Sequence, residues 1–252
     1  MSKMNAIIIS DLHIGSKFFL YQDFECFLNK ISEDAEFILN GDIIENPYAK
    51  LRPADQQILN RFEQMSYRQK VVWVRGNHDN GYIPQDLGQI QIKQYHSIQK
   101  RVFIAHGDFF DKVMPQSRVF IKTFKMMHDL RVKLGARPVH VAEYAKKWKR
   151  FYGYLRKNVM LNAVNYAAKN GFEAVACGHT HFAEEQFING IRYLNTGAWT
   201  ELPTYYVNVT DNETSLKKTT DSAEPLKSPG TDTVSVSSAH HQNATHPVSH
   251  QN

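Results

Sequence analysis

Cysteine is scarce. The 252 residues hold only Cys26 and Cys177, too few and too far apart for a metal knuckle, a redox pair or a disulfide framework. Both are expected as reduced, small core residues, the usage of a cytosolic protein. No apolar run approaches the roughly 20 residues that span a bilayer. Met1 leads straight into a first apolar run, without the segment that marks a secretory leader. Internal repeats are missing as well. Acidic residues are short in one region above all: from Lys112 to Lys157, thirteen Lys or Arg stand against only Asp129 and Glu143. The whole chain carries +5, which suits an anionic partner without identifying one.

What is present is enough for a folded enzyme. Hydrophobic residues make up 42%, sufficient for one large core with a small appended lobe. Up to residue 110, apolar runs alternate with helical patterns. Phe24, Phe27, Leu28 and Ile31 recur at helical spacing within Tyr21–Ile31, and Ile58, Leu59 and Phe62 within Pro53–Met65. Pro53 suits the first turn of that second helix. Short strands are expected at Gln91–Tyr95 and Arg101–Ala105. This rhythm predicts a parallel or mixed sheet covered by helices. A helical, basic insertion follows at about 112–170, with a long helix from about His140 to an αL stop at Asn170-Gly171 and a bend at Gly153. Then Gln186–Ile188 and Ile191–Leu194 flank Asn189-Gly190, a strong hairpin signal. A last strand is expected near Tyr205–Val209, giving a domain over 1–210. From Asp211 to Asn252 the composition turns to Ser, Thr, Asn, Gln and His, too poor in large apolar groups to offset ordering entropy, so a disordered tail is expected.

Five polar clusters carry the chemistry: Asp11-Leu-His13, Gly41-Asp42, Gly76-Asn-His-Asp79, His106-Gly-Asp108 and Gly178-His-Thr-His181. Each directly follows an apolar run, so each belongs on a loop at the end of a buried strand, where a rigid sheet can aim it. Carboxylate, imidazole and amide in this mix suit two divalent ions, with Mn, Fe, Zn or Co as the fitting metals. Asp42 is the candidate bridge. Asp11, His13 and one C-terminal histidine would complete one ion's shell; Asn77, His106 and the other of His179 and His181 would complete the second. Two such ions can present a bridging hydroxide to phosphorus for in-line attack. His78 is better placed to stabilise the transition state or protonate the leaving oxygen, with Asp79 orienting its ring. Asp108 is read as bracing a ligand imidazole or as structural, Asp111 as the start of the inserted helices. Asn195 and Thr196 are read as bracing a turn.

These motifs resemble the calcineurin-like metallophosphoesterase superfamily, over about residues 1–210. The resemblance implies an α/β/β/α sandwich of two packed mixed sheets. It also implies one metal on Asp11, His13, Asp42 and His181, and another on Asp42, Asn77, His106 and His179. Within the superfamily the chain is most similar to the UDP-2,3-diacylglucosamine diphosphatase group. The carrying features are Ser10-Asp-Leu-His13, His106-Gly-Asp-Phe-Phe-Asp111, the basic insertion before Cys177, and Tyr193-Leu-Asn-Thr-Gly-Ala-Trp199. Two positions depart: His78 stands where the best-known members have Arg, and Ala198 where they have Asp. The group hydrolyses a nucleotide-lipid pyrophosphate to UMP and 2,3-diacylglucosamine 1-phosphate, usually with manganese, in lipid A synthesis of Gram-negative cells.

The insertion is read as a cap near the site. Its cations alternate with Trp148, Phe151, Tyr152 and Tyr154, a surface suited to a diphosphate and an anionic inner-membrane face, with the protein cytoplasmic or peripheral there. Arg118, Lys122, Arg131, Lys149, Arg150, Arg156 and Lys157 are the candidate phosphate contacts. The bland reading is an ordinary solvated helical face. His128 and His140 are read as structural. A phosphodiesterase or nuclease gripping a nucleic-acid backbone with the same cations is the alternative enzyme. A non-catalytic scaffold should have lost some of these ligands, and none is missing. No obligatory protein partner is implied.

Overall fold

Strand residues alternate between two faces, and here both faces are apolar, so each sheet is covered on both sides. The computed structural model describes residues 4–82, 86–114 and 118–221. The chain begins β1 (Asn5–Ile9), α1 (Tyr21–Leu28), β2 (Glu36–Asn40), α2 (Pro53–Ser66), β3 (Val71–Val74) and β4 (Gln91–Lys93). It continues β5 (His96–Ile98), β6 (Val102–Ile104), α3 (Arg118–Lys133), α4 (Val141–Ala145), α5 (Lys149–Lys169) and β7 (Ala174–Cys177). The last strands are β8 (Glu184–Ile188), β9 (Ile191–Asn195), β10 (Tyr205–Thr210) and β11 (Thr214–Lys218).

One sheet runs β11-β10-β1-β2-β3-β4 and the other β5-β6-β7-β9-β8. The interior neighbours β1, β2 and β3, and likewise β6, β7 and β9, pair in parallel. Antiparallel strands close the edges at β10 and β11, at β5, and at β8. Ala6, Ile8, Ile38 and Val72 point between the sheets and meet Val102, Ile104, Ala176 and Leu194. Their neighbours Ile7, Phe37 and Leu39 face outward against Phe24 and Phe27 of α1 and Phe62 of α2. On the far side Phe103, Val175 and Tyr193 pack under Val159, Ala163 and Ala167 of α5. The layers are therefore α/β/β/α, as the family resemblance implies. Each of these large side chains contributes about 1.5–3 kcal/mol on burial.

The inserted region departs from its expected shape. Instead of one helix from His140, the chain forms α4, breaks at Lys146–Trp148, and resumes as α5. Gly153 lies inside α5 without interrupting it; with no contact within 4 Å of where a Cβ would sit, its surface position costs little. Gly171 does take the left-handed conformation expected of a helix stop, at φ 72°. Asn189 and Gly190 both have positive φ and join β8 to β9, as their pairing predicts. Three other expectations are corrected. Strand β5 was not foreseen; three residues are too few to show a period. The ordered fold passes Asp211, because β11 pairs with β10. Its Leu216 packs at the edge of the inter-sheet core. Residues 222–252 of the expected tail lie outside the described residues. Cys177 is buried and unpaired, but Cys26 is exposed on α1, so only the former is a core residue.

Candidate metal centre

Every sequence-predicted metal residue sits just past the C-terminal end of a parallel strand, where open α/β sheets bind their ligands. Asp11 and His13 follow β1, Asp42 follows β2, Asn77 follows β3, His106 follows β6, and His179 and His181 follow β7. The backbone there is unusual. Asp11, His13, Asp42, His179 and His181 have φ of 52°, 51°, 51°, 68° and 52°, a left-handed conformation that costs of order 1–3 kcal/mol per residue and concentrates at functional sites. The loops approach so closely that a Cβ on Gly178 would overlap Asp11 Oδ2 and Ser10 Oγ. One on Gly76 would overlap the carboxylate of Asp42. Glycine is required at both positions by proximity.

The side chains converge into neighbouring clusters. Asp11, His13 and His181 offer ligand atoms within 4.8 Å of one another, and so do Asp42, His106 and His179. In the first, His181 Nε2 lies 3.2 Å from Asp11 Oδ1 and 3.0 Å from His13 Nε2. In the second, His106 Nε2 lies 3.1 Å from Asp42 Oδ2, and Asn77 Oδ1 lies 3.0 Å from His179 Nδ1. The two are contiguous, with His106 Nε2 only 3.9 Å from Asp11 Oδ1. The sequence left open which C-terminal histidine joins which group. The structure places His181 with Asp11 and His179 with Asp42.

These residues fit a divalent cation on chemical grounds. His106 donates its Nδ1 proton to Asn40 O at 2.8 Å, so Nε2 turns a lone pair toward Asp42. That buried Nε2 has no hydrogen-bond partner. Buried lone pairs facing a carboxylate are costly without a cation or proton between them. Electrostatics agree. Burial pushes the Asp42 carboxyl up, but His106, then His78 and His13, outweigh it and hold it well below its usual range. Burial lowers His106, yet the charges of Asp42 and Asp11 hold it well above its usual value. His181 goes the other way: burial, with His13 and His140 nearby, outweighs Asp11 and brings it down to about 4. A histidine kept neutral is ready to be a ligand.

Supporting groups differ from expectation in instructive ways. Asp79 does not orient the His78 ring. It is buried and accepts from Ile43 N, Ile44 N, Gly76 N and Trp73 Nε1, tying the β2 and β3 loops together. His78 is held instead by Glu45, whose carbonyl lies 2.9 Å from His78 Nδ1. The backbone N–H of His78 donates to Asp42 Oδ1 at 2.8 Å and fixes the candidate bridge. Asp111, read as the start of the inserted helices, takes the bracing role weighed for Asp108. Its Oδ1 accepts from Val113 N and Met114 N, and its Oδ2 is 2.8 Å from His179 Nε2. Asp108 lines the cavity, and its Oδ1 accepts from Phe109 N. Asn195 and Thr196 brace the loops as expected, with Asn195 Nδ2 donating to Gly178 O and Thr196 Oγ1 2.6 Å from Ser10 Oγ. The sequence reading missed Glu45, and it took His140, whose ring lines the cavity, as structural. Glu45 carried one legible signal: a carboxylate three residues after Asp42.

A cavity of about 500 Å³ opens over the cluster. Its floor is His13, Asp42, Asn77, His78, His179 and His181, and its cap wall includes Met114, Phe124, Val141, Trp148, Phe151 and Leu155. No Lys or Arg among the described residues lines it, so the described candidate phosphate contacts stand outside its wall. Arg156 is engaged with Glu184 through Nε at 3.1 Å and Nη2 at 2.6 Å, with its guanidinium 3.3 Å from the Phe182 ring centre. Arg131 donates to Arg137 O and lies over Tyr144. Lys122, Lys149, Arg150 and Lys157 are exposed on the cap surface. The side chain of Arg118 lies outside the described residues. No helix among the described residues is long and apolar enough to cross a membrane.

The sequence profile of the calcineurin-like phosphoesterases matches residues 4–183. The chain belongs to the calcineurin-like phosphoesterase family. Membership makes it a metal-dependent hydrolase of phosphoesters, and the converging Asp and His residues are where this family member would hold metal. Among solved structures, the E. coli phosphoesterase Yfce is 15% identical over 86% of this chain and 94% of its own, with TM-score 0.44. Vacuolar Protein Sorting 29 from Cryptosporidium parvum is 14% identical over 86% and 97%, with TM-score 0.42. A predicted phosphoesterase from Streptococcus pneumoniae TIGR4 is 15% identical over 86% and 90%, with TM-score 0.40. No curated protein matches the chain.

Proposed function

We propose that this phosphoesterase uses two divalent ions, manganese first among the candidates, to hydrolyse the pyrophosphate of UDP-2,3-diacylglucosamine to UMP and 2,3-diacylglucosamine 1-phosphate. One observation carries the reading: the cavity over the ligand cluster is walled on its cap side by apolar and aromatic side chains. A substrate with a charged diphosphate and long acyl chains needs that pairing of a polar floor and an apolar wall. A small nucleotide does not.

Asp11, His13, Asp42 and His181 would hold one ion, and Asp42, Asn77, His106 and His179 the other. Bound there, such ions supply Lewis acidity toward a phosphoryl oxygen and acidify a water to near neutral pH. The protein's own groups do the positioning. Asp111 steers His179, Asn40 steers His106, and the His78 amide steers Asp42. With Nδ1 held by Glu45 O, His78 keeps Nε2 for the substrate, where it would stabilise charge or protonate the leaving oxygen.

The cap's outer surface extends the reading. Exposed Met126 and Leu130 lie one turn apart on α3, and exposed Leu134 follows directly after it, beside exposed Lys122 and Lys133. Such a face suits the anionic cytoplasmic surface of an inner membrane, where an acylated substrate resides.

The test is product analysis of manganese-loaded protein given UDP-2,3-diacylglucosamine and, separately, bis-p-nitrophenyl phosphate. UMP release much faster than diester cleavage supports the lipid substrate. Diester cleavage without UMP release sinks it and favours a phosphodiesterase or nuclease on the same centre.

A further inference from the structure

His140 stands just before α4, in the cap, yet its ring is buried against the metal centre. Its centroid is 5.1 Å from that of His13, and it stacks on His181 at 5.2 Å and 15°. The ring lines the cavity beside Asp42, His78 and His179. It also caps α4: Nδ1 accepts from Ala142 N at 3.3 Å. Histidine is not among the favoured capping residues, so capping alone does not explain its choice here.

The capping bond settles which nitrogen carries the proton. With Nδ1 accepting, the neutral ring is protonated on Nε2. That nitrogen has no lone pair to give, so His140 is not a further metal ligand, although it clusters with His13 and Glu45 at ligand-like distances. The Nε2–H faces Glu45 Oε2 at 3.8 Å, too long for a hydrogen bond. Oε2 itself sits 2.7 Å from His13 Nδ1. The donor is held near a carboxylate but not consumed by it.

We propose that His140 is a substrate-contacting residue that the cap delivers to the site, donating Nε2–H to a non-bridging phosphate oxygen on the Asp11–His13–His181 side. Without a seated cap the site lacks this donor, so cap folding and phosphate recognition are coupled through one side chain. The proposal rests on the phosphoesterase reading of the centre and is indifferent to the lipid.

Two variants separate donation from capping. His140→Asn keeps a good cap for α4, but its amide donors stop short of where Nε2–H stands; His140→Gln keeps a donor of similar reach. Manganese-loaded full-length protein is assayed for bis-p-nitrophenyl phosphate hydrolysis, for orthophosphate affinity by calorimetry, and for bound metal. A lost hydrogen bond to a charged group predicts that His140→Asn lowers kcat and weakens orthophosphate binding on the order of 10–100-fold, with metal content unchanged and His140→Gln partly restored. Wild-type kcat and phosphate affinity in His140→Asn would overturn the proposal, as would losses that track loss of metal. If the wild type hydrolyses neither bis-p-nitrophenyl phosphate nor UDP-2,3-diacylglucosamine and binds no orthophosphate, the phosphoesterase reading fails and takes this one with it.

Discussion

Asn77 Oδ1 faces His179 Nδ1 at 3.0 Å while the opposite nitrogen of the same ring donates to Asp111. Two acceptors thus point at each other, an arrangement that a cation between them relieves. The centre should therefore gain stability from metal. At a hundredfold excess over Kd, binding adds about 2.7 kcal/mol, or roughly 5–10 °C in Tm for a chain of this size. Melting curves of chelator-stripped protein with and without manganese check this. An unchanged Tm, together with no metal retained after dialysis, would refute it. Asp42→Ala should abolish both the shift and the hydrolysis.

Asp111 reaches the metal centre only through His179. Its carboxyl is pushed up by burial, but hydrogen bonding from His179 and the Met114 and Val113 amides outweighs that and holds it below its usual value. A charged brace of this kind raises ligand basicity, and its removal costs about 10–100-fold in metal affinity. Asp111→Asn should show that loss in a competition assay with a metal-sensitive dye, with the circular dichroism spectrum unchanged. Equal affinity in variant and wild type would leave Asp111 only its turn.

The seven candidate ligands were legible because each lies within a few residues of a strand end, so local order reports where it goes. Asp111 was ambiguous because its partner His179 is far along the chain. Glu45 was hidden for the same reason: its carboxylate joins the β2 loop to His13 on the distant β1 loop. Charge alone could not show that Arg156 is engaged, since its partners Glu184 and Phe182 follow β7. A mixed sheet covered by helices was legible from alternation, and the second sheet came only with the family resemblance. Short β5 and β11 were not legible, because pairing rather than composition makes them strands.

Arg156 and Lys157 are adjacent in sequence and unequal in structure. Arg156 joins the cap to β8 through a two-point contact with Glu184 and packs on Phe182; Lys157 is exposed. Arg156→Ala loses packing as well as charge and should cost about 1–3 kcal/mol, read by urea unfolding. Lys157→Ala should stay within about 0.5 kcal/mol. Equal effects would mean that the contact with Glu184 contributes nothing.

Glu36 couples the two sheets: Oε1 sits 2.6 Å from His96 Nε2 on β5 and 2.9 Å from Lys70 Nζ. Burial lifts its carboxyl, but those hydrogen bonds outweigh burial and hold it below the usual 4.5. The folded state thus binds this proton more weakly than the unfolded state. The resulting stability is fully present above about pH 4.5 and is lost as pH falls through the lower folded value. The Tm difference between wild type and Glu36→Gln should therefore be largest near neutrality and shrink below pH 4.5. A difference that holds constant down to pH 3.5 would contradict the linkage.

His78 can be tested by the leaving group it serves. Its ring is anchored by Glu45 O and stands edge-on to His13 at 4.9 Å, so replacing it need not disturb the seven ligands. If it protonates the leaving oxygen, the need for it grows with the basicity of that oxygen. General acid catalysis contributes about 10²–10⁴-fold, so His78→Asn should lose activity in that range against esters with alkyl leaving groups. The loss should be much smaller against p-nitrophenyl esters, whose leaving oxygen departs without a proton. A rate loss independent of leaving-group pKa would instead assign His78 to stabilising charge on the phosphoryl oxygens, and no loss with either ester would remove it from the reaction.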